Sequence, residues 1–254
     1  MDVGSPPVEA IRVSAPRTDL LFDANATPEI TGDHFEPAWW HAQRAERGRA
    51  LGRGTVMFVR APRDDGSEWV VRHYLRGGWI ARLSRDRYVW TGLERTRPWR
   101  EWRLTRRLRA LDLPVPWPIA ARVQRHGLVY TGDLITEKIP DTETLAERLR
   151  GDAISAAQWH NLGALLRRFH DAGLRHDDIN AANVLWRERD ATFHVIDFDR
   201  AALVPPGPWQ ERNLARFRRS LDKHRRLAPH FAFTASDWTT LLRGYRQARA
   251  DKVT

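Results

Sequence analysis

One loop and the strand after it restrict this chain more than any other stretch: His176-Asp177-Asp178-Ile179-Asn180-Ala181-Ala182-Asn183, then the apolar run Phe193-His194-Val195-Ile196 ending in Asp197-Phe198-Asp199. Phosphoryl transfer needs one carboxylate to orient the acceptor hydroxyl and take its proton. It also needs an Asn and a second carboxylate to hold magnesium against a triphosphate. Asp178, Asn183 five positions later, and Asp197 at a strand end stand in that order. Any one of them alone reads as a solvated turn or a helix cap. Joined, and set between a helix and two short strands, they read as the catalytic centre of an ATP-dependent kinase.

The 254 residues suffice for one large domain or two lobes sharing a cleft, and a hydrophobic content of 42% suffices for a packed core. Cys is absent, which excludes disulfides, thiolate metal sites and a Cys nucleophile. Residues 1–15 lack a cationic start followed by an apolar run, and nowhere do about 18 apolar residues follow one another. Neither secretion nor membrane spanning is expected. The net charge of +10 comes almost wholly from Arg, since Lys occurs only at Lys138, Lys223 and Lys252. Such a surface expects an anionic partner: nucleic acid, an acidic lipid surface or a polyphosphorylated substrate.

The order of elements predicts an α+β, two-lobed fold. Residues 1–30 read as a loose tail with a short strand at Asp19-Leu20-Leu21-Phe22, residues 31–139 as an antiparallel sheet plus one helix, and residues 140–254 as a mainly helical lobe. A short helix carries Trp39 and Trp40 and leads into a glycine-bearing turn over 48–55. There Gly52 and Gly54 are candidates to close over phosphates, although a hairpin turn uses the same glycines. Asp65-Gly66 turns the chain into a strand over Glu68 to Tyr74. Arg72 on that strand is the candidate cation for the nucleotide phosphates, because no Lys precedes the loop on a suitable strand; an exposed strand Arg is the plain alternative. Pro98 opens a helix in which Glu101 is the only acid, and an ion pair from Glu101 would hold Arg72 in its phosphate-facing pose.

Between these, Trp79 to Trp90 interleaves indoles and guanidiniums, which suits either a lipid interface or ordinary core packing. After a proline-rich stop, strands are expected at Ile119–Arg125, Leu128–Tyr130 and Leu134–Ile139. The backbone from Thr136 to Ile139, with Glu137 and Ile139 as candidates, is expected to meet the adenine edge. In the second lobe a helix from Ser155 ends at Gly173 and supports the loop, beneath which His176 packs. Two helices close the chain at about Trp209–Leu227 and Ser236–Ala248, the latter with Thr234 and Asp237 placed to cap it. Arg200, Arg212 and Arg216 are acceptor-side cations or members of a solvated face. No Ala-Pro-Glu segment follows Asp199 and little chain remains, so the acceptor is expected to be something other than a protein.

Four segments together resemble the 3-deoxy-D-manno-octulosonic acid (Kdo) kinase family of lipopolysaccharide core kinases: Gly52-Arg53-Gly54-Thr55; Val71-Arg72-His73-Tyr74 with Arg76-Gly77-Gly78; the loop from His176 to Asn183; and Val195 to Asp199. The likeness runs from about Gly32 to Arg246. It implies a protein-kinase-like fold and a peripheral enzyme on the cytoplasmic face of the Gram-negative inner membrane. With ATP and Mg2+, such an enzyme phosphorylates the 4-hydroxyl of Kdo on a lipid A precursor. Carried over by position, Asp178 is the base and Asn183 and Asp197 the magnesium ligands. Arg72 in place of the usual Lys and Asp199 in place of Gly depart from the wider kinase pattern. The anionic glycolipid and membrane surface suit the basic chain, with neither nucleic acid nor protein as partner in this reading, although a basic surface would serve RNA equally. A heptose or aminoglycoside phosphotransferase on the same fold, and a catalytically silent anion-binding scaffold, are the alternatives.

Overall fold

In the computed structural model, which describes residues 9–23, 30–51, 55–75 and 86–250, the chain forms two units. One comprises Met1–Arg106 with Trp117–Lys138, the other Arg107–Pro116 with Ile139–Thr254.

The first unit contains β1 (Glu9–Ala15), β2 (Thr18–Asp23), α1 (Pro37–Ala42), β3 (Glu46–Leu51), β4 (Thr55–Arg60), β5 (Glu68–His73), β6 (Tyr88–Val89), most of α2 (Arg97–Ala110), β7 (Pro118–His126) and β8 (Val129–Glu137). The strands form one antiparallel sheet in the order β1-β2-β7-β8-β5-β4-β3, with β6 also on β8. Side chains of successive residues leave opposite faces, so Leu20 and Ala120 join Trp40 and Trp69 on one side. Their neighbours Leu21 and Ala121 join Trp99 and Trp102 of α2 on the other. Both faces are therefore buried, and large indoles fill much of each.

Three expectations are corrected here. The stretch read as a loose tail supplies β1 as well as the expected strand, which is β2, and both belong to the sheet, β2 pairing along β7 from Thr18↔Gln124 to Phe22↔Ala120. The apolar run Leu20-Leu21-Phe22 is the reason, since it buries completely or nearly so. The turn placed over 48–55 begins later, because Gly48 to Leu51 belong to β3 and pair with β4; Gly52 and Gly54 lie outside the described residues. The two strands expected at Leu128–Tyr130 and Leu134–Ile139 are one, β8. Its polar centre continues the strand because Gly132 leaves room for Pro98, where a Cβ would sit 2.5 Å from the proline ring. Asp133, beside it, is buried on charged partners described below.

The second unit contains β9 (Thr142–Thr144), α3 (Leu145–Gly151), α4 (Ala156–Asp171), β10 (Leu174–His176), β11 (Val184–Arg187), β12 (Thr192–Val195), β13 (Ala201–Leu203), α5 (Trp209–Leu227) and α6 (Ala235–Ala250). Two small antiparallel sheets, β10-β13 and β12-β11-β9, flank the loop that follows β10. Ser155 and Gln158 cap α4 reciprocally, and Thr234 and Asp237 do the same before α6. The α4 helix buries Trp159, Leu162, Leu165, Leu166 and Phe169. It meets α6 at two glycines: a Cβ on Gly163 would lie 1.9 Å from the Leu241 carbonyl oxygen, and one on Gly244 2.0 Å from that of His160. Backbone contact at this crossing makes α4 a rigid support for the loop that leaves its C-terminal end.

Candidate active site

On β5, alternation sends Arg72 and Tyr74 to one face and His73 to the other. Arg72 Nη2 lies 2.5 Å from Glu101 Oε2 of α2, whose side chain is 4% exposed. The Tyr74 hydroxyl accepts from Arg72 at 3.1 Å and donates to Glu101, so it closes the pair into a triangle. The Arg72 guanidinium also lies over the Tyr74 ring, 4.8 Å from its centre. On the opposite face His73 Nδ1 meets Asp133 at 2.6 Å. The other oxygen of Asp133 accepts from Arg122 Nε at 2.8 Å, and Arg122 continues to Glu36 at 2.5 Å. The hydrogen bond to Asp133 raises the His73 pKa above its ordinary value, against the effect of burial. The residues Arg72-His73-Tyr74 thus serve two networks, one on each side of the sheet. Sequence reasoning gave Tyr74 no part in the candidate site; its spacing of two from Arg72 is the signal that would have placed it beside that residue.

At the end of this unit, the Glu137 N–H donates to the Trp117 carbonyl and the Lys138 N–H to the Glu68 carbonyl. The next residue, Ile139, opens the second unit, and its carbonyl accepts from the Thr142 hydroxyl at 2.9 Å.

In the second unit the catalytic-type loop is tied from beneath by His176, which is 3% exposed. Its Nδ1 accepts from the Asp178 N–H at 3.3 Å, which leaves Nε2 to donate to the Ile196 carbonyl, also at 3.3 Å. Burial lowers its pKa, so a neutral ring holding backbone is its role, as expected. Asn180 and Asn183 both donate to the carbonyl of Asp178, at 2.8 and 3.0 Å. This converging pair fixes the backbone that carries the Asp178 carboxylate. The Asn183 carbonyl accepts from the Ile196 N–H at 3.0 Å, which brings the start of Asp197-Phe198-Asp199 against the loop. Asp197 adopts φ 65°, a left-handed conformation unusual for a residue with a side chain, while Phe198 is buried and its ring centre lies 5.5 Å from that of His176.

The long α5 helix clamps this loop at three points. Asn213 Oδ1 accepts the His176 N–H at 2.9 Å, Arg216 Nη2 donates to Asp178 Oδ1 at 2.5 Å, and Ser220 Oγ accepts the Ala181 N–H at 3.1 Å. Of the three cations set out as acceptor-side or solvated, Arg216 touches Asp178. Its distance of 38 residues from Asp178 hides the contact from local motif reading. With its amide nitrogen committed, Asn183 has Oδ1 left for a further partner, and Asp197 adds a carboxylate. These hard oxygen donors fit magnesium.

The sheet-rich first unit, the helical second unit and the ordered loop define an α+β, kinase-like phosphotransferase that acts on a hydroxyl acceptor and takes its phosphoryl group from ATP. The model of the lipopolysaccharide kinase (Kdo/WaaP) family matches residues 37–245, and the chain belongs to that family. Among curated relatives, a 3-deoxy-D-manno-octulosonic acid kinase of Mannheimia succiniciproducens is 38% identical over 230 residues, 89% of this chain and 95% of the relative. One from Stenotrophomonas maltophilia is 43% identical over 209 residues, 81% of each chain. One from Haemophilus influenzae is 35% identical over 232 residues, 90% of this chain and 96% of its own.

Proposed function

We propose that this chain transfers the γ-phosphoryl group of ATP to the 4-hydroxyl of the Kdo residue on a lipid A precursor. The observation that carries the reading is the loop geometry, in which two Asn side chains hold the backbone of Asp178 and Asp197 is drawn to the same loop through Asn183. Asp178 accepts the hydroxyl proton as that oxygen bonds to phosphorus and the bond to the departing ADP breaks. Asn183 and Asp197 would hold magnesium, which neutralises charge on the triphosphate. Arg72, kept in place by Glu101 and Tyr74, binds phosphate oxygens, and Gly52 and Gly54 cover them. The Glu137 and Lys138 amides are engaged by the protein, so adenine takes the Glu137 carbonyl and the Ile139 N–H.

The enzyme works in this reading as a peripheral protein on the anionic cytoplasmic face of the inner membrane, with neither nucleic acid nor protein as substrate. Among the described residues no helix is long and apolar enough to cross a membrane. Val89 and Leu128, 63% and 82% exposed, are neighbours at one end of the first unit beside Trp90, whose ring carries the Arg125 guanidinium. Apolar tips with a cationic rim suit a headgroup layer.

Purified protein with ATP, magnesium and Kdo–lipid A is expected to release ADP and yield a phosphorylated glycolipid by mass spectrometry. Asp178→Ala should abolish this while circular dichroism stays unchanged. Phosphorylation of a heptose or aminoglycoside in place of Kdo–lipid A would overturn the acceptor, and full activity of Asp178→Ala would overturn the base.

A further inference from the structure

Beside Asp178 the second unit holds a cavity of about 350 Å³, walled by the loop and by one face of α5. Arg216, Arg219 and Lys223 line it together with Asn180 and His224, and Asp178 is its only acid among the described residues. Helical spacing explains the set: positions 216, 219, 220, 223 and 224 share a face, whereas Asn213, Phe217 and Leu221 are buried. Desolvation by burial, followed by the charges of Arg150 and Lys223, keeps His224 below its ordinary pKa. Three cations therefore stand against one carboxylate.

Such an excess on a largely solvated face costs little by itself, but it makes the cavity attractive to an anion. The Arg216 side chain is 43% exposed and lines the cavity even though its Nη2 is on Asp178, so the guanidinium keeps a face open to a second anion. A guanidinium can bond two carboxylates at once through separate N–H groups.

We infer that this cavity is the acceptor's anion subsite, in which Arg216 bridges Asp178 and the carboxylate of the sugar being phosphorylated, with Arg219 and Lys223 completing the cradle. The inference rests on the Kdo-kinase reading and adds what recognises the sugar. An anion held by Arg216 lies within one sugar ring of the base. The carboxyl group of a 3-deoxy-2-ulosonic acid meets that limit, being on the carbon two removed from the one bearing the 4-hydroxyl. A lipid A phosphate, on a different sugar, does not. The cavity is large enough for one sugar. Arg216 then acts as a positioning residue that decides which hydroxyl faces Asp178.

The test compares Kdo–lipid A with the same glycolipid carrying its carboxyl group reduced to a primary alcohol, and with a form lacking the lipid A phosphates. The wild-type protein should prefer the acid over the alcohol in kcat/KM by roughly 10- to 100-fold, the worth of one charge-assisted contact. Arg216→Gln and Lys223→Gln should each shrink that preference, Arg216→Gln to within about threefold. Lys223 lies on a solvated helix face, so its variant keeps the comparison available if Arg216→Gln fails to fold. An unchanged preference in both variants overturns the inference. So does an equal loss on acid and alcohol in Arg216→Gln, which would put this residue on the transferring phosphate. Dependence on the lipid A phosphates instead of the carboxyl group reassigns the anion and overturns it too. Turnover of Kdo–lipid A without any carboxyl preference overturns the subsite alone, whereas no turnover of Kdo–lipid A by the wild type overturns the acceptor reading and the subsite with it.

Discussion

Arg72 and Glu101 stand 2.5 Å apart in the first unit, and the Tyr74 hydroxyl touches both. Glu101 is nearly dry, so its charge has to be answered, and Arg72 and Tyr74 help to answer it. Glu101→Ala removes the carboxylate 2.5 Å from Arg72, and Arg72→Ala removes a cation from a buried carboxylate, which costs stability on the order of a few kcal/mol. Tyr74→Phe is the sharper probe. It removes one hydroxyl, costs about 1 kcal/mol of stability, and takes one of the supports from the Arg72 guanidinium while the direct pair with Glu101 stays. We expect its KM for ATP to rise several-fold with little change in the KM for the acceptor, as steady-state ADP release would measure. An unchanged KM for ATP would confine the triangle to a structural role.

The opposite face of β5 sets a pH dependence. The Asp133 hydrogen bond raises the folded-state pKa of His73 above the ordinary 6.5, so the protonated ring is the one that stabilises. That contribution is complete below about pH 6.5 and is lost as pH rises through the folded value. His170 and His194 act with the other sign, both pushed down to about 4, chiefly by burial. Their neutral forms stabilise the fold above about pH 6.5, and this is lost as pH falls towards 4. Urea midpoints should therefore decline on both sides of a maximum near neutrality. In His73→Gln the alkaline decline between pH 6.5 and 8 should flatten while the acid limb stays. An alkaline slope identical to wild type would show that the His73–Asp133 bond does not titrate in this range.

Where α4 crosses α6, Gly163→Ala puts a methyl group 1.9 Å from a backbone oxygen of α6. No side-chain rotation relieves a clash with backbone, so the helices must part. Overpacking of this kind costs about 1–3 kcal/mol, more where the backbone resists. A fall in Tm of several degrees is expected, whereas Gly151→Ala, which meets nothing within 4 Å, should stay near wild type. Equal Tm values for the two variants would contradict the close crossing.

What was legible in the sequence had local causes. The loop from His176 to Asn183, the bounds of α5 and the Thr234 cap each follow from spacing within one element. The β8 strand was not legible, because Thr131-Gly132-Asp133 looks like a turn until Pro98, His73 and Arg122 arrive from elsewhere in the chain. Of the first two strands, β2 was legible in its apolar run Leu20 to Phe22, whereas β1 was read as tail because Pro and Ala dominate the stretch around it. In the candidate site, the residues of the motif were readable but their supports were not. Tyr74, Asn213 and Arg216 act through contacts across 27 to 38 residues, which no periodicity records.

Asn213 shows how such a support is tested. It is buried on α5, and its side-chain oxygen takes the backbone N–H of His176 at the point where the chain leaves β10 for the loop. Asn213→Leu would strand that N–H away from water, at a cost of about 1–3 kcal/mol. His176 in turn accepts the Asp178 N–H, so displacement at its backbone is passed to the carboxylate proposed to take the proton. Misplacement of a reacting group by about 1 Å can cost about 100-fold in rate. The variant is therefore expected to lose kcat by one to two orders of magnitude with a KM for ATP near wild type. Asn213→Asp, which keeps an acceptor oxygen at the same place, should recover most of the loss. If Asn213→Leu lowers Tm without lowering kcat at a temperature where it is folded, α5 stabilises the unit but does not position the loop.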